Sequence, residues 1–507
     1  MNKLLLATPL LGTALFAGCN NATKSNEAPN VIYILMDDLG YGELGSYGQE
    51  LIETPNIDKL AQNGIRFTQS YSGAPVSAPA RCVLLTGKHT GHSIVRGNDE
   101  FGSRGSVWSH EAMLADSTLE GQFAMPATTR TLGHLMQDAN YETGIIGKWG
   151  LGYPGSVSTP NKMGFDFFYG YNCQRQAHTY YPMFLYRNEA REYLDNAPLL
   201  TPNDRFDKDA DVNDPESYKK FERNDYSNDL MFDEVISFVD SNKDKPFFLM
   251  WTTPIPHVSL QAPEEWVNYY NEKFKETEPY LGQNGYLPSI YPKATYAAMV
   301  SYFDQQVGLL IDKLIAENIY ENTIIVFTSD NGPTFTGGSQ SPWFNSGGIF
   351  KSEAGWGKAS VHEGGIRVPL IVSWPEVIKE ARVSDHICAF WDVLPTLADI
   401  VGSEVPEDVD GISFLPELLG KEQPQHEALY WEYPEGQGSR AVRMGNWKGI
   451  IQNIKKGNDK MELYNLDTDI QEQNDIADEH PEIVEQIKEI MNREHTISEN
   501  ANFRFFD

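Results

Sequence analysis

Val31-Ile32-Tyr33-Ile34-Leu35-Met36-Asp37-Asp38 is an unbroken apolar run that ends in two carboxylates. Such a run is typical of a β-strand that is buried on both faces of a sheet. Four more short runs rich in β-branched or aromatic residues occur, at residues 143–147, 246–251, 323–328 and 369–373. Helical patterns alternate with them, most clearly at residues 296–317. This alternation predicts an α/β fold.

Polar and charged side chains follow four of these predicted strands where each run ends. They are Asp37 and Asp38, Lys148, His257, and Asp330 with Asn331. A solvated loop would explain any single one of them. Because ligands of open α/β sheets bind at the carboxyl ends of the strands, their joint placement predicts one site at one edge of the sheet.

A hydroxyl and an arginine lie at the start of a predicted helix. In Ser77-Ala78-Pro79-Ala80-Arg81 the proline suits the first helical turn. A helix N-terminus favours a bound anion or a developing oxyanion, and Arg81, one turn further on, adds a full positive charge. Taken alone, the pattern is equally typical of a helix cap.

The charge balance limits the classes of partner. The chain carries 40 Lys and Arg against 71 Asp and Glu, a formal net charge of −31 at pH 7. This field repels nucleic acid and anionic membrane surfaces, so we expect neither as a partner. An anionic substrate would have to be held by a few local cations or by a bound metal. The cysteines beyond Cys19 do not have the spacing of a zinc cluster.

Residues 1–19 resemble a lipoprotein-type signal peptide. The apolar run at residues 4–17 is too short to span a bilayer, and Gly18-Cys19 follows it. Cys19 would be lipidated, with residues 20–29 as a tether. Because Phe16 stands where leucine is usual, cleavage without lipidation is the alternative. We therefore expect an exported protein, periplasmic or held at the outer membrane of a Gram-negative bacterium by an N-terminal lipid anchor.

The segment Ser77-Ala78-Pro79-Ala80-Arg81-Cys82-Val83-Leu84-Leu85-Thr86-Gly87 resembles the signature of the formylglycine-dependent sulfatases. Similar motifs cover nearly the whole mature chain. They include Thr54-Pro55-Asn56-Ile57-Asp58-Lys59-Leu60-Ala61, Gly147-Lys148-Trp149, Pro256-His257, Ser329-Asp330-Asn331-Gly332, and Lys358 with Glu363-Gly364-Gly365-Ile366-Arg367-Val368-Pro369.

The resemblance implies an alkaline-phosphatase-like α/β domain, a mixed sheet flanked by helices, at residues 28–424. Strand-like runs at residues 428–432, 440–444 and 463–466, followed by a helix at 481–491, predict a small C-terminal antiparallel sheet with one covering helix at residues 425–507. The acidic stretch at residues 183–228 reads as an inserted excursion from the first domain.

The resemblance also implies a reaction. In the family, the side chain at the position of Ser77 is oxidised to formylglycine. Its hydrate attacks sulfur, the alcohol leaves, and the second hydroxyl then expels sulfate. A simple serine sulfate would stall, whereas a geminal diol has its own route out. Because residue 77 is serine and not cysteine, the implied partner is a radical maturation enzyme of the kind found in anaerobes.

The predicted metal ligands are all oxygen donors. Asp37, Asp38, Asp330 and Asn331 suit calcium or magnesium and not zinc, and the family resemblance favours Ca²⁺, with the modified residue 77 completing the sphere. By the same resemblance, Arg81 and Lys148 stabilise the activated diol. His257 and Lys358 grip the sulfate, and either could protonate the leaving oxygen.

The chain departs from the family at Gly150, where the motif Gly-Lys-Trp-His-Leu-Gly has histidine. His92 or His178 could replace that base, or the metal alone could drive the elimination. The polar residues His92, Arg96, Asn98, Arg175 and His178 are predicted to bind the sugar. With Gly150, they resemble a subgroup from glycan-degrading Bacteroidetes that removes the 4-sulfate of galactose or N-acetylgalactosamine.

We therefore predict a carbohydrate sulfatase that acts on a sulfated mono- or oligosaccharide. One alternative is a phosphatase or phosphodiesterase of the alkaline phosphatase superfamily, which would use unmodified Ser77 and two zinc ions. The histidines for the second metal have no obvious source in this sequence. The other alternative is a glycan-binding protein that retains the sulfate pocket without turnover.

Overall fold

The computed structural model of this chain describes residues 28–504. The predicted signal peptide at residues 1–19, its Cys19, and most of the tether lie outside the described residues. Fourteen strands are present in the described part: β1 Asn30–Met36, β2 Ile65–Tyr71, β3 Glu142–Lys148, β4 Phe167–Tyr171, β5 Phe184–Arg187, β6 Ala190–Tyr193, β7 Phe247–Thr252, β8 Thr323–Ser329, β9 Leu370–Ser373, β10 Arg382–Ala389, β11 Leu429–Tyr433, β12 Ser439–Met444, β13 Trp447–Gln452 and β14 Met461–Asn465.

The α-helices of residues 28–504 vary widely in length. They are α1 Pro55–Gln62, α2 Ser77–Thr86, α3 His110–Ala115, α4 Leu132–Asp138, α5 Ser227–Asn242, α6 Glu264–Phe274, α7 Pro292–Ala316, α8 Ser341–Phe344, α9 Glu363–Ile366, α10 Val393–Val401, α11 Leu415–Leu418 and α12 Pro481–Arg493. No helix in this part of the chain has the length and apolarity that crossing a membrane requires.

The first ten strands form one mixed sheet in the order β10-β2-β9-β8-β1-β7-β3-β4-β5-β6. Its centre, from β8 to β4, is parallel, and β9 runs antiparallel between β8 and β2. The register places Met36 beside Ser329, so β1 and β8 end at the same level. The predicted α/β fold class, a mixed sheet with flanking helices, is confirmed.

Two hydrophobic cores cover the two faces of this sheet. In β1, Val31, Tyr33 and Leu35 pack into one core with α2 and α4. The alternate residues Ile32, Ile34 and Met36 pack into the other, which is covered by α5 and α7. This two-sided burial is why β1 is apolar at every position and does not alternate with polar residues.

The predicted excursion at residues 183–228 needs a correction. Its first part forms the antiparallel hairpin of β5 and β6, which extends the main sheet beyond β4. Strand β6 forms the edge of the sheet and is partly exposed, so the apolar run that marks a central strand is lacking there, whereas the short apolar run of β5 is buried. The rest of the segment encloses a small apolar cluster of Leu200, Tyr218 and Phe221 with Leu287.

The last four strands form a separate antiparallel sheet in the order β11-β12-β13-β14, covered by α12. The predicted small sheet and its helix are therefore present. Strand β13 was not predicted, because Lys448 and Gly449 interrupt its apolar pattern. Lys448 is fully buried and forms an ion pair with Glu363 of the first sheet's domain, 2.6 Å apart. The domain boundary at residue 425 stays a prediction.

A histidine–aspartate pair links the segment that leads into the second sheet to the first domain. His426 Nε2 lies 2.7 Å from Asp392 Oδ1, and both side chains are largely buried. Burial lowers the pKa of His426, but the Asp392 carboxylate outweighs it and raises that pKa above its ordinary value of 6.5. The Asp392 carboxylate therefore favours the protonated form of His426.

This pair predicts a pH-dependent stability. A histidine with a raised pKa in the folded state stabilises the fold fully below the unfolded pKa and loses that contribution as pH rises through the folded pKa. We therefore expect the midpoint of urea unfolding to fall as pH is raised above about 6.5. His426→Asn should flatten this dependence. A variant profile parallel to that of the unchanged protein would show that the pair does not contribute.

Candidate active site

The carboxyl ends of the central strands and the N-terminus of α2 meet at one place. Ser77 is the first residue of α2 and is buried. Its Oγ donates a hydrogen bond to Asp37 Oδ1 at 3.0 Å and accepts one from Lys148 Nζ at 3.1 Å. Lys148 Nζ also donates to Asp37 Oδ2. A nucleophile at position 77 is therefore held between a carboxylate and an ammonium group.

Arg81 supports this group from one turn further along α2. Its guanidinium donates to Asp330 Oδ2 at 2.9 Å and 3.2 Å and to the Lys148 carbonyl oxygen at 2.8 Å. Its Nη2 also lies 3.8 Å from Asp37 Oδ2. Arg81 thus connects residues from the ends of β1, β3 and β8.

The opposite side of the site is built around Asp38. Lys358 Nζ lies 2.7 Å and 2.8 Å from the two Asp38 carboxylate oxygens. His257 Nε2 lies 3.6 Å from Asp38 Oδ2, while its Nδ1 lies 2.5 Å from the carbonyl oxygen of Val258. Since a carbonyl oxygen can only accept, Nδ1 carries the hydrogen and Nε2 faces the site.

Opposite charges make this buried cluster possible. Burial opposes ionisation of Asp37, but Lys148, His257 and Arg81 outweigh it and hold the pKa of Asp37 well below its usual range. Burial, and then Lys358, lower the pKa of His257 to about 4. The carboxylates of Asp37, Asp38 and Asp330 are compensated by the cationic Arg81, Lys148 and Lys358. Each buried charge therefore has a partner of opposite sign.

The oxygen atoms of the site fit a divalent metal ion. Asn331 Nδ2 donates to Asp38 Oδ1 at 2.8 Å and to the Gly332 carbonyl oxygen at 2.9 Å, whereas Asn331 Oδ1 is buried without a hydrogen-bond partner. Asp37 and Asp38 each offer an oxygen within 4.8 Å of the other and of a His257 nitrogen. Carboxylate and amide oxygens are the ligands of hard cations.

Of the residues predicted to bind the sugar, Asn98 lies against the N-terminus of α2. Its Oδ1 accepts a hydrogen bond of 3.0 Å from the backbone N–H of Ala78, next to Ser77. The backbone N–H of Asn98 donates to the Glu435 carboxylate, which lies in the turn between β11 and β12. Asn98 therefore caps the N-terminus of α2 and connects it to the second sheet. Glu435 was not predicted.

His178 also lies near the proposed reacting groups. Its ring stacks on His257 with centroids 4.6 Å apart and an interplanar angle of 6°. Tyr286, a residue that the sequence analysis missed, packs edge-on against both rings. Burial and the nearby His257 hold the pKa of His178 well below its usual value. Arg175 is partly exposed, and its Nη2 lies 3.3 Å from Glu100 Oε1.

His92 and Arg96 require a correction, because the structure does not bring them to Ser77. His92 is held near the far end of α2, because the backbone N–H of its partner Asp410 donates a hydrogen bond of 2.8 Å to the carbonyl oxygen of Gly87, which follows that helix. There it pairs with Asp410 at 2.8 Å. The Arg96 guanidinium is buried, pairs with Glu432, and donates to the Thr496 carbonyl oxygen at 2.7 Å. Arg96 therefore connects the two domains and does not face a substrate.

The space beside Gly150 contains no histidine. Gly150 has a φ of +80°, and a Cβ atom placed on it would lie 3.4 Å from Oε1 of Gln174. His92 pairs with Asp410 and is not among the atoms nearest to this space, whereas His178, which stacks on His257, stays a predicted replacement for the base. The neighbour of Gly150 is thus an amide, which cannot act as a base.

The sheet and the charged site at its edge define a hydrolase of the alkaline-phosphatase-like architecture. The comparisons with known proteins identify its family. A family model described as Sulfatase matches residues 29–403, so the chain belongs to the sulfatase family and is a sulfuric ester hydrolase. A second model, described as N-sulphoglucosamine sulphohydrolase, C-terminal, matches residues 352–497.

Individual relatives match along most of their length. The chain is 27% identical to the N-acetylgalactosamine-6-O-sulfatase of Bacteroides thetaiotaomicron, over 95% of this chain and 97% of that protein. It is 29% identical to the N-acetylgalactosamine-6-sulfatase of Canis lupus familiaris, over 84% and 72%. The crystal structure of Ps i-CgsB in complex with k-i-k-neocarrahexaose superposes with a TM-score of 0.70 at 26% identity, covering 94% of both chains.

The position of Arg96 predicts a stability effect without an effect on substrate affinity. Arg96→Met would leave the buried Glu432 without its guanidinium partner, and we expect a loss of about 3 kcal/mol in the free energy of unfolding. KM for a sulfated sugar should stay unchanged. Arg175→Met is a matched control that should cost far less stability. A raised KM with unchanged stability in Arg96→Met would return Arg96 to the substrate site.

Proposed function

We propose that this protein hydrolyses a sulfate ester on a terminal sugar through a formylglycine made from Ser77. The supporting observation is the position of Ser77 Oγ, 3.0 Å from Asp37 Oδ1 and 3.1 Å from Lys148 Nζ at the N-terminus of a helix. Formylglycine would supply a geminal diol, which can release sulfate without hydrolysis of a serine ester.

The residues around position 77 would divide the work of the reaction. Asp37 would accept a hydrogen bond from the attacking hydroxyl and orient it toward sulfur. Lys148 and Arg81 would stabilise the negative charge on that side of the site. When the bond between sulfur and the sugar oxygen breaks, the leaving oxygen takes up a proton. Lys358 Nζ and His257 Nε2 both lie within 3.6 Å of Asp38 and are the candidate donors. Lys358 Nζ carries a proton as an ammonium group, whereas His257, with its hydrogen on Nδ1, would first have to gain one at Nε2.

Asp37, Asp38, Asp330 and Asn331 would hold the metal ion, for which we propose Ca²⁺. The unpaired Oδ1 of Asn331 and the buried carboxylates support an oxygen-ligated cation. A bound divalent cation would supply positive charge to a sulfate oxygen and to residue 77. Lys358 and Lys148 would then have a sulfate group to neutralise in addition to the carboxylates.

The proposed substrate is a sulfated sugar of galactose type. Curated relatives are named for N-acetylgalactosamine and the 6-position. The similar structure of Ps i-CgsB holds k-i-k-neocarrahexaose. These names support a sulfated carbohydrate, whereas the 4-position of galactose or N-acetylgalactosamine stays a prediction from the sequence. A panel with 4-O- and 6-O-sulfated forms of both sugars separates the two positions.

Export and maturation are proposals that rest on the sequence. A lipoprotein-type signal peptide at residues 1–19 would bring the enzyme to the periplasm or the outer membrane of a Gram-negative anaerobe. A radical maturation enzyme would oxidise Ser77 before folding is complete, since Ser77 is only 2% exposed in the folded chain.

The mechanism predicts that activity follows the chemical state of residue 77. Protein made with the radical maturation system should lose two hydrogens at Ser77, measured by peptide mass spectrometry, and should release sulfate from a sulfated sugar. Protein made without it should keep intact Ser77 and turn over at least about a thousand-fold more slowly. Ser77→Ala should be inactive from either host, whereas Ser77→Cys should be active from a host that converts cysteine.

Sulfate and phosphate esters of one chromogenic alcohol are the control substrates. Sulfate release at full rate by protein with only intact Ser77 would contradict the formylglycine mechanism. A preference for the phosphate ester by that same protein would favour the unmodified serine of a phosphatase.

A further inference from the structure

Two amide side chains lie at the edge of the site without an assigned role. Asn172 and Gln174 follow β4, which pairs in parallel with β3, the strand that ends at Lys148. The pairing continues beyond the strands, because the Gly150 backbone N–H donates to the Asn172 carbonyl oxygen at 3.2 Å. Both side chains are therefore carried to the same sheet edge as the catalytic lysine.

Both amides are buried, and each has an atom without a partner. Asn172 is 2% exposed and Gln174 is 5% exposed. Asn172 Nδ2, a donor, and Gln174 Oε1, an acceptor, make no hydrogen bond in the described structure. Because an unpaired buried polar group destabilises a fold, such groups need an explanation, and a ligand that satisfies them is one.

The nearby Gln122 shows what a structural amide looks like here. Its Oε1 accepts from the backbone N–H of Gln174 at 3.2 Å, and its Nε2 donates to Glu100 Oε2 at 3.1 Å. Both ends of Gln122 are thus engaged in holding the loop. The unpaired ends of Asn172 and Gln174 are not required for that purpose.

Gly150 leaves room for the Gln174 side chain. A Cβ atom on Gly150 would lie 3.4 Å from Gln174 Oε1 and 3.7 Å from Gln174 Cβ, so a larger residue at position 150 would compete for this space. Gly150 is two residues beyond Lys148, whose Nζ contacts Ser77. The Gln174 amide therefore lies against the segment that directly follows Lys148 and not on a remote surface.

We infer that Asn172 and Gln174 bind an uncharged polar substituent of the sugar, next to the sulfate group; this inference rests on the proposed function. Together they offer an N–H donor and a carbonyl acceptor. Either a ring hydroxyl or an acetamido group has the complementary acceptor and donor. Neither amide carries a charge that could neutralise a second anionic group. Such a group would also be repelled by the lone pairs of Gln174 Oε1. The pair therefore selects for a neutral substituent.

The test compares Gln174→Leu with Gln176→Leu, which removes the same group two residues further on. We expect Gln174→Leu to lower kcat/KM on a sulfated sugar by about 10- to 100-fold, mainly through KM. Activity on a small aryl sulfate, which lacks the sugar substituent, should stay within about two-fold. Gln176→Leu should leave both activities unchanged. The thermal midpoint of Gln174→Leu should not fall, because an unpaired buried oxygen is removed.

The choice of sugar separates the two substituents. A larger loss on sulfated N-acetylgalactosamine than on sulfated galactose supports an acetamido group, and equal losses support a hydroxyl. Unchanged kcat/KM on both sugars, or an equal loss on the aryl sulfate, would overturn the inference. Asn172→Ala provides the same test if Gln174→Leu does not fold.

A binding experiment separates this inference from the proposed function. The protein with intact Ser77 is titrated with both sulfated sugars by calorimetry, which requires no turnover. Weaker binding by Gln174→Leu than by Gln176→Leu supports the amide pair even if no sulfate is released. Equal affinities of the two variants would overturn the pair, while sulfate release by the matured protein would still support the proposed function.

Discussion

The constraint on which this structure depends is the burial of three carboxylates at one edge of a sheet. Asp37, Asp38 and Asp330 are fully buried. Removing such groups from water is costly, and only close opposite charges compensate for it. Lys148 and Lys358 pair with the carboxylates from β1, and Arg81 reaches Asp330 from α2. The nucleophile's position follows from this arrangement, because Ser77 lies one turn before Arg81 on the same helix.

The second sheet supports the site through buried polar contacts. Lys448 on β13 pairs with Glu363, five residues beyond Lys358. Glu435 accepts from the N–H of Asn98, which in turn caps α2 at Ala78. The C-terminal strands therefore hold two segments of the first domain in place, the one with Glu363 and the one with Asn98. Relatives also match along nearly the entire chain and not only over the first sheet.

The strands that could be predicted from the sequence are those buried on both faces of the sheet. Central strands such as β1 are buried on both faces, so their apolar runs and the charges after them were evident, and the family motifs supplied Ser77 and Lys358. The edge strand β6 and the strand with Lys448 lack such runs, and the buried apolar run of β5 is short. Arg96 was misjudged because sequence does not tell a buried ion pair from a substrate contact; Glu432, its partner, lies more than three hundred residues away.

The most direct test is a crystal structure of the protein with intact Ser77, grown with Ca²⁺ and a sulfated galactose-type sugar. Anomalous scattering identifies the ion independently of turnover. The account predicts one calcium ion bound by oxygens of Asp37, Asp38, Asp330 and Asn331, with the sulfate between Ser77 and the His257 and Lys358 side chains. An ion bound elsewhere, or a sulfate group that avoids these cations, would contradict it.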